Sequence, residues 1–352
     1  MDISSIKADA TQRAILQDQR GQAIVVNNAP IPSLRPGTVL IKTIAVSLNH
    51  ADNKMGVAFP TPGAVIGMDF VGRVIKKMTM EYVGEGENCV HVGDLVCGTV
   101  HGSNPSDPTT GAFAEYSGNT PADKLPCTVD VAVFAAAWRD PLPSNDGPTP
   151  PVLVYGGSTA CGTMAIQLLR ILGYDPVTTC SPTNFNLVNS YGAGAAFDYT
   201  SDDLVRNIKE YTGGRLRHAL DCMCDQVSTA CCYASLGRPG GRYAYLEASP
   251  RDWKTREAVK ADFVMALEAF GKCVGLPGEY GRPASQDKHH LSVQIYGVYQ
   301  QLLDDGRLKG HPTEIVGRGL ESVLKGLAEL KSGSVSGKRL VVWMEPAPLP
   351  PG

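Results

Sequence analysis

Val152-Leu-Val-Tyr-Gly-Gly-Ser-Thr-Ala-Cys-Gly-Thr-Met-Ala-Ile-Gln-Leu-Leu-Arg170 passes from a short apolar run through a Gly-rich turn into helical periodicity. Residues 152–155 have the β-branched, apolar character of a strand buried on both faces of a parallel sheet. Gly156, Gly157 and Gly162 allow a sharp turn and close approach of the backbone to a ligand. A helix predicted to begin near Thr159 would aim its free N–H groups and positive dipole end at phosphates. Such a turn also occurs in ordinary strand-to-helix connections, so the residues that follow decide between the two.

They continue as half of a dinucleotide-binding fold would. Residues 176–182 read as a second strand with a hydroxyl-rich tip, where NAD-selective folds carry an acidic residue for the ribose 2′-OH. Ser181 stands in that place. Neutral Ser181 and Asn184 can face a 2′-phosphate without repelling it, which favours NADPH over NADH. Residues 187–199 read as a helix closed by Gly192 and a third short strand, after which Tyr199 either stacks on the dinucleotide or is a plain buried aromatic. A helix over 203–211, a strand over 218–222, a segment over 229–236 and a strand over 240–246 extend an alternation that fits a doubly wound parallel sheet.

At 352 residues the chain is long for one core, so two lobes are expected. No apolar run approaches the roughly 18 residues of a membrane helix. A net charge of −3 argues against nucleic acid as a partner. The ten cysteines are scattered, and residues 1–7 lack the layout of a signal peptide, so reduced thiols in a cytoplasmic protein are expected. Cys222-Met-Cys224 and Cys231-Cys232 do not have metal-site spacing and read as packed or idle thiols. His289 and His290, being adjacent, face different directions on a helix and read as solvated surface.

Residues 11–130 look different. Short alternating strands at 23–27, 39–46, 72–76 and 95–100, separated by Pro and Gly, suggest an all-β, barrel-like lobe. An amphipathic helix over 320–330 and a strand over 338–343 close the chain, and that strand is expected to return to the first lobe. A Pro-rich stretch over 141–151 marks the crossing. The expected organisation is α/β: a first lobe over 1–150, a dinucleotide-binding domain over 151–290, and return helices and strand over 291–352 completing the first lobe.

Ala45-Val-Ser-Leu-Asn-His-Ala-Asp-Asn-Lys-Met55, Gly67-Met-Asp-Phe-Val-Gly72, Val92-Gly-Asp-Leu-Val-Cys-Gly98 and Gly111-Ala-Phe-Ala-Glu-Tyr116 precede the Gly-rich turn. In that order they resemble the medium-chain dehydrogenases/reductases of the quinone-reductase type, whose GroES-like barrel lobe is joined to a Rossmann sheet. Asp52-x-Lys54, the Tyr155-Gly-Gly-Ser-Thr turn and Thr179-Cys-Ser-Pro-Thr-Asn-Phe185 are most similar to the fungal trans-acting enoyl reductases that serve highly reducing polyketide synthases. The resemblance covers nearly the whole chain.

It implies hydride transfer from NADPH to the β-carbon of an α,β-unsaturated acyl thioester held on the synthase's carrier protein, then protonation at the α-carbon. It implies cofactor contacts from Ala51, Asp52, Asn53 and Lys54, with Lys54 also the candidate catalytic residue. Ser158, Thr159, Ala160 and Cys161 are expected at the pyrophosphate, Ser181, Pro182, Thr183 and Asn184 around the 2′-phosphate, and Tyr199 on the adenosine side. Leu246, Glu247, Val335 and Ser336 are expected near the nicotinamide. No residue stands out as the proton donor, and water can serve. A monomer is expected.

Zinc alcohol dehydrogenases of this superfamily carry a His-Glu pair where this chain has Met68-Asp69, and a four-cysteine lobe where it has only Cys89, Cys97 and Cys127. No ligand set remains, so no metal is expected. Conjugate reduction suits that absence, because the thioester carbonyl already activates the alkene. One departure stands out: Phe134-Ala-Ala-Ala-Trp-Arg-Asp-Pro141 runs almost at once into the Pro-rich crossing, where related chains have roughly fifteen further residues that help form the substrate cleft. Two alternative readings stay open, a free-standing NADPH-dependent quinone or enone reductase and a non-catalytic NADPH-binding protein.

Overall fold

The structure is a computed structural model that describes residues 10–78, 90–121 and 148–344. Strands β1 (Thr11–Gln17) and β2 (Ala23–Pro30) form an antiparallel hairpin. Strand β3 (Thr38–Ser47) is the spine of the first lobe. It pairs antiparallel with β4 (Asp69–Met78), which in turn carries β5 (Leu95–Thr99), and it also pairs with β6 (Tyr116–Pro121). Between β3 and β4 lies helix α1 (His50–Ala58). The strands expected at 23–27, 39–46, 72–76 and 95–100 are all present, most of them longer. β1 and β6 escaped the sequence reading, since neither is set off by clear turn residues on both sides.

The second lobe is a six-stranded parallel sheet in the order β12-β11-β10-β7-β8-β9. Its strands are β7 (Pro151–Tyr155), β8 (Asp175–Cys180), β9 (Ala195–Asp198), β10 (His218–Asp221), β11 (Gly241–Tyr245) and β12 (Val259–Phe263). All five residues of β7 are buried, and Leu153 and Val154 are wholly so. Burying a leucine such as Leu153 contributes roughly 2 kcal/mol. Helices α2 (Ala160–Ile171), α3 (Phe185–Ser190), α4 (Leu204–Thr212) and α5 (Gln226–Ser235) connect the strands. The order reverses between β7 and β10, and the loops at the carboxyl ends of those strands are where an open α/β sheet takes its ligand.

Helix α6 (Gln286–Asp304) packs on α2, with Tyr299, Leu302 and Leu308 against Met164. The boundary expected at 290/291 therefore falls inside a helix whose packing partner is in the parallel-sheet lobe. The chain rejoins the first lobe at β13 (Thr313–Arg318) and β14 (Arg339–Trp343), the latter antiparallel to β3. Between them, helix α7 (Gly319–Lys331) lays Leu320, Val323, Leu327 and Leu330 on the core of the first lobe, the spacing of one helical face.

Candidate functional site

The Gly-rich turn is built by contact as much as by backbone freedom. Gly156 sits at a φ of +84°, in the left-handed region that favours glycine. A Cβ on Gly157 would overlap the Thr178 hydroxyl, and one on Gly162 would overlap the Gly156 carbonyl. The first contact sets the turn against β8 and the second sets the helix start against the turn. Thr159 is the N-cap of α2: its hydroxyl accepts from the Gly162 N–H at 3.0 Å and donates to the Gly156 carbonyl at 2.8 Å. Ser158, Thr159, Ala160 and Cys161 are half-buried around this mouth. The glycine cradle and the helix N-terminus fit a pyrophosphate.

Ser181 follows β8 directly and opens a short 3₁₀ turn, Pro182–Asn184. The Asn184 amide donates to the Ser336 hydroxyl at 2.9 Å. Ser336, expected near the nicotinamide, is thus bonded to one of the residues expected at the 2′-phosphate. Val335 is partly buried and packs against the first-lobe core. Tyr199 is 45% exposed, so it is not a core aromatic and its ring is available to a ligand.

In the first lobe, α1 projects Lys54 toward Glu247, which follows β11. Their ion pair, Nζ to Oε2 at 3.2 Å, links residues of the two lobes. Leu246 is tied down beside it, its backbone N–H donating to the Cys224 thiol at 3.1 Å. Two neighbours expected to touch cofactor are hydrogen-bonded within the protein. The Asn53 amide donates to the Leu327 carbonyl of α7 at 2.9 Å. Asp52 is buried and accepts from the backbone N–H of Asn49, the N-cap of its own helix, at 2.7 Å. Ala51 is half-buried.

Burial pushes the Asp52 carboxyl up from 3.8 to about 8, against the opposing hydrogen bond from Asn49. A raised folded-state value means that the folded protein keeps a proton the unfolded chain releases. The stabilisation is full below about pH 3.8 and is lost as the pH rises through about 8. Asp52→Asn retains an acceptor for Asn49 and removes the titration. Its Tm relative to the parent should rise by about 5 °C between pH 5 and pH 9. Parallel Tm curves over that range would refute the assignment.

The superfamily's metal position is otherwise engaged. Asp69 accepts from the Asn49 amide at 3.0 Å and pairs with Arg339 of β14 at 3.2 Å, so it pins α1 to the returning strand. Among the described residues no group of three or more His, Cys, Asp or Glu is placed to hold a metal; Cys89 and Cys127 lie outside them. Cys224 accepts from Leu246 and donates to the Asp221 carbonyl, while Cys231 and Cys232 are buried. Among the described residues seven cysteines are free thiols. Cys97 is disulfide-bonded, contrary to the expectation of reduced thiols throughout. His289 also departs from a solvated role, since its Nδ1 lies 3.0 Å from the Ala269 carbonyl. The short junction at 134–141 lies outside the described residues.

Two features were missed from sequence. Asp221 ends β10 fully buried and accepts four hydrogen bonds, from the Met223 and Cys224 N–H groups and the Ser228 and Tyr243 hydroxyls. An acid closing an apolar strand was the only signal. The segment after β12 brings Tyr280 onto Glu247, its hydroxyl donating to the carboxylate. Nothing in the sequence marked that tyrosine among thirteen.

Comparison with known proteins fits this arrangement. The alcohol dehydrogenase GroES-like domain family matches residues 35–126, and the zinc-binding dehydrogenase family matches 160–264. A trans-enoyl reductase of Talaromyces wortmannii is 43% identical, with 94% of this chain and 98% of the relative covered. One of Penicillium oxalicum is 40% identical, covering 97% and 95%. These alignments run over 366 and 364 positions, more than the 352 residues here, so the relatives carry residues that this chain lacks. Among solved structures, the CurK enoyl reductase superposes with a TM-score of 0.69 over 96% of this chain and 100% of its own, at 16% identity. A mycobacterial protein solved with NADPH gives 0.65 over 95% and 100%, at 20% identity.

Proposed function

The chain belongs to the trans-enoyl reductases of the medium-chain dehydrogenase/reductase superfamily, and we propose that it reduces the α,β-double bond of an acyl thioester delivered on the carrier protein of a highly reducing polyketide synthase. The reductant is NADPH, which when bound supplies a hydride to the β-carbon. The observation that supports the reading is the meeting of Lys54 of the first lobe with Glu247 after β11, which β10 and β7 separate from β8 and the Ser181 turn.

The chain's own residues then divide the work. The turn at Gly156, Gly157 and Gly162, with Ser158, Thr159, Ala160 and Cys161, holds the pyrophosphate. Ser181, Pro182, Thr183 and Asn184, joined by Ser336, surround the 2′-phosphate, and Tyr199 covers the adenosine. Leu246 and Glu247 border the nicotinamide. Lys54 sets a positive charge where negative charge develops on the thioester oxygen, an electrostatic role that needs no metal. Water supplies the proton to the α-carbon. No described helix is long and apolar enough to cross a membrane, and the reading places the protein in the cytoplasm as a monomer.

The experiment is turnover of a carrier-bound enoyl thioester with NADPH, followed by loss of absorbance of the reduced nicotinamide and by mass spectrometry of the saturated acyl chain. Reduction is expected on the carrier-bound substrate and weak on small free enones and quinones. Preference for the free compounds would move the assignment to a quinone or enone reductase. The relatives' extra residues favour a second reading, an NADPH-binding protein with little turnover. NADPH binding without reduction of either substrate class would establish it.

A further inference from the structure

Tyr280 ends a short 3₁₀ turn, Gly278–Tyr280, in the segment that follows β12. Its ring is wedged edge-on between two others, 4.9 Å from Phe59 at the end of α1 and 5.4 Å from Phe263 of β12. One ring thus touches both lobes. Its hydroxyl donates to Oε1 of Glu247, while Oε2 of the same carboxylate holds Lys54. Burial first, and the adjacent carboxylate second, push the phenol well above its ordinary range. It therefore stays protonated and acts as a hydrogen-bond donor. A carboxylate held at one oxygen by a rigid donor has little freedom at the other, whereas the Lys54–Glu247 pair alone, with the lysine side chain 58% exposed, would be loose.

We propose that Tyr280 is a positioning residue that acts through Glu247 to fix the Lys54 ammonium in the interlobe cleft. This rests on the enoyl-reductase reading above, so its test needs a measurement that does not depend on turnover. Tyr280→Phe keeps both ring contacts and removes only the donor.

In the cofactor-free protein, acetylation of Lys54 by a water-soluble active ester, quantified by mass spectrometry, should run about fivefold faster in Tyr280→Phe than in the parent, with other lysines unchanged. With enoyl thioester, kcat should fall about tenfold while the NADPH Kd stays within about twofold. The same change made in Lys54→Ala should cost nothing further, because the group being positioned is gone. Glu247→Gln, which weakens both contacts, should reproduce the acetylation change. The inference is overturned if Lys54 labels at the parental rate in Tyr280→Phe, or if the kinetic losses of Tyr280→Phe and Lys54→Ala simply multiply. A parent protein that reduces nothing would sink the enoyl-reductase reading, and the labelling experiment would still decide whether Tyr280 holds Lys54.

Discussion

Replacing Lys54 with alanine is expected to lower kcat/KM for the enoyl thioester, or the affinity for NADPH, by about one to two orders of magnitude. The side chain is 58% exposed and its partner Glu247 34% exposed, so the pair contributes little to stability. A large kinetic effect with an unchanged Tm is the signature of a residue acting at the site. The split between constants then locates its action: a fall in kcat at constant NADPH Kd points to charge stabilisation on the substrate, and a rise in Kd points to a cofactor contact. Kinetics equal to those of the parent protein would return Lys54 to ordinary surface.

The second large effect concerns the choice of dinucleotide. NADPH should bind at least about tenfold more tightly than NADH, a difference of about 1.4 kcal/mol. Ser181 follows the end of β8, where the turn Pro182–Asn184 begins, and Asn184 beside it is held by Ser336. No carboxylate from that turn faces the expected 2′-phosphate. Ser181→Asp introduces one, repelling the phosphate and offering an acceptor to a free ribose hydroxyl. Each effect is worth about tenfold, so the ratio of the two dissociation constants should swing about a hundredfold and reverse in sign. Fluorescence titration of both variants with both dinucleotides measures it. Equal affinities in the parent protein would remove Ser181 from the selectivity argument.

The two lobes could be read in the sequence because each writes a different period. The buried strand Pro151–Tyr155, its glycines and the helix after them form one continuous stretch, so the local pattern and the local structure coincide. β12 and β13 were not anticipated. β12 carries the alternating pattern of a half-buried edge strand within five residues, and β13 is mostly exposed or half-buried; neither is long enough to show a period.

The candidate site was legible only where it is local. Ser158 to Cys161 lie at the turn because chain connectivity puts them there, and Ser181 to Asn184 follow β8 for the same reason. Residues brought in from a distance fared differently. Asp52 and Asn53 directly precede Lys54 in one motif, yet the helix directs one into its own cap and the other onto α7. Ser336, expected at the nicotinamide end, meets Asn184, a contact between residues 152 apart in sequence.

A β-rich lobe followed by a doubly wound sheet, and a tight glycine turn joining that sheet's first strand to a helix, can be read along the chain alone. Those properties depend on neighbouring residues: hydrophobic period, turn chemistry and helix capping act over a few positions, so they are written in order along the chain. Which charges meet depends on how distant segments pack. Lys54 and Glu247 are 193 positions apart, Tyr280 is another 33 beyond, and Arg339 reaches Asn49 across 290. Side-chain pairing at such separations is set by how the two sheets are packed together, and no local pattern encodes that packing.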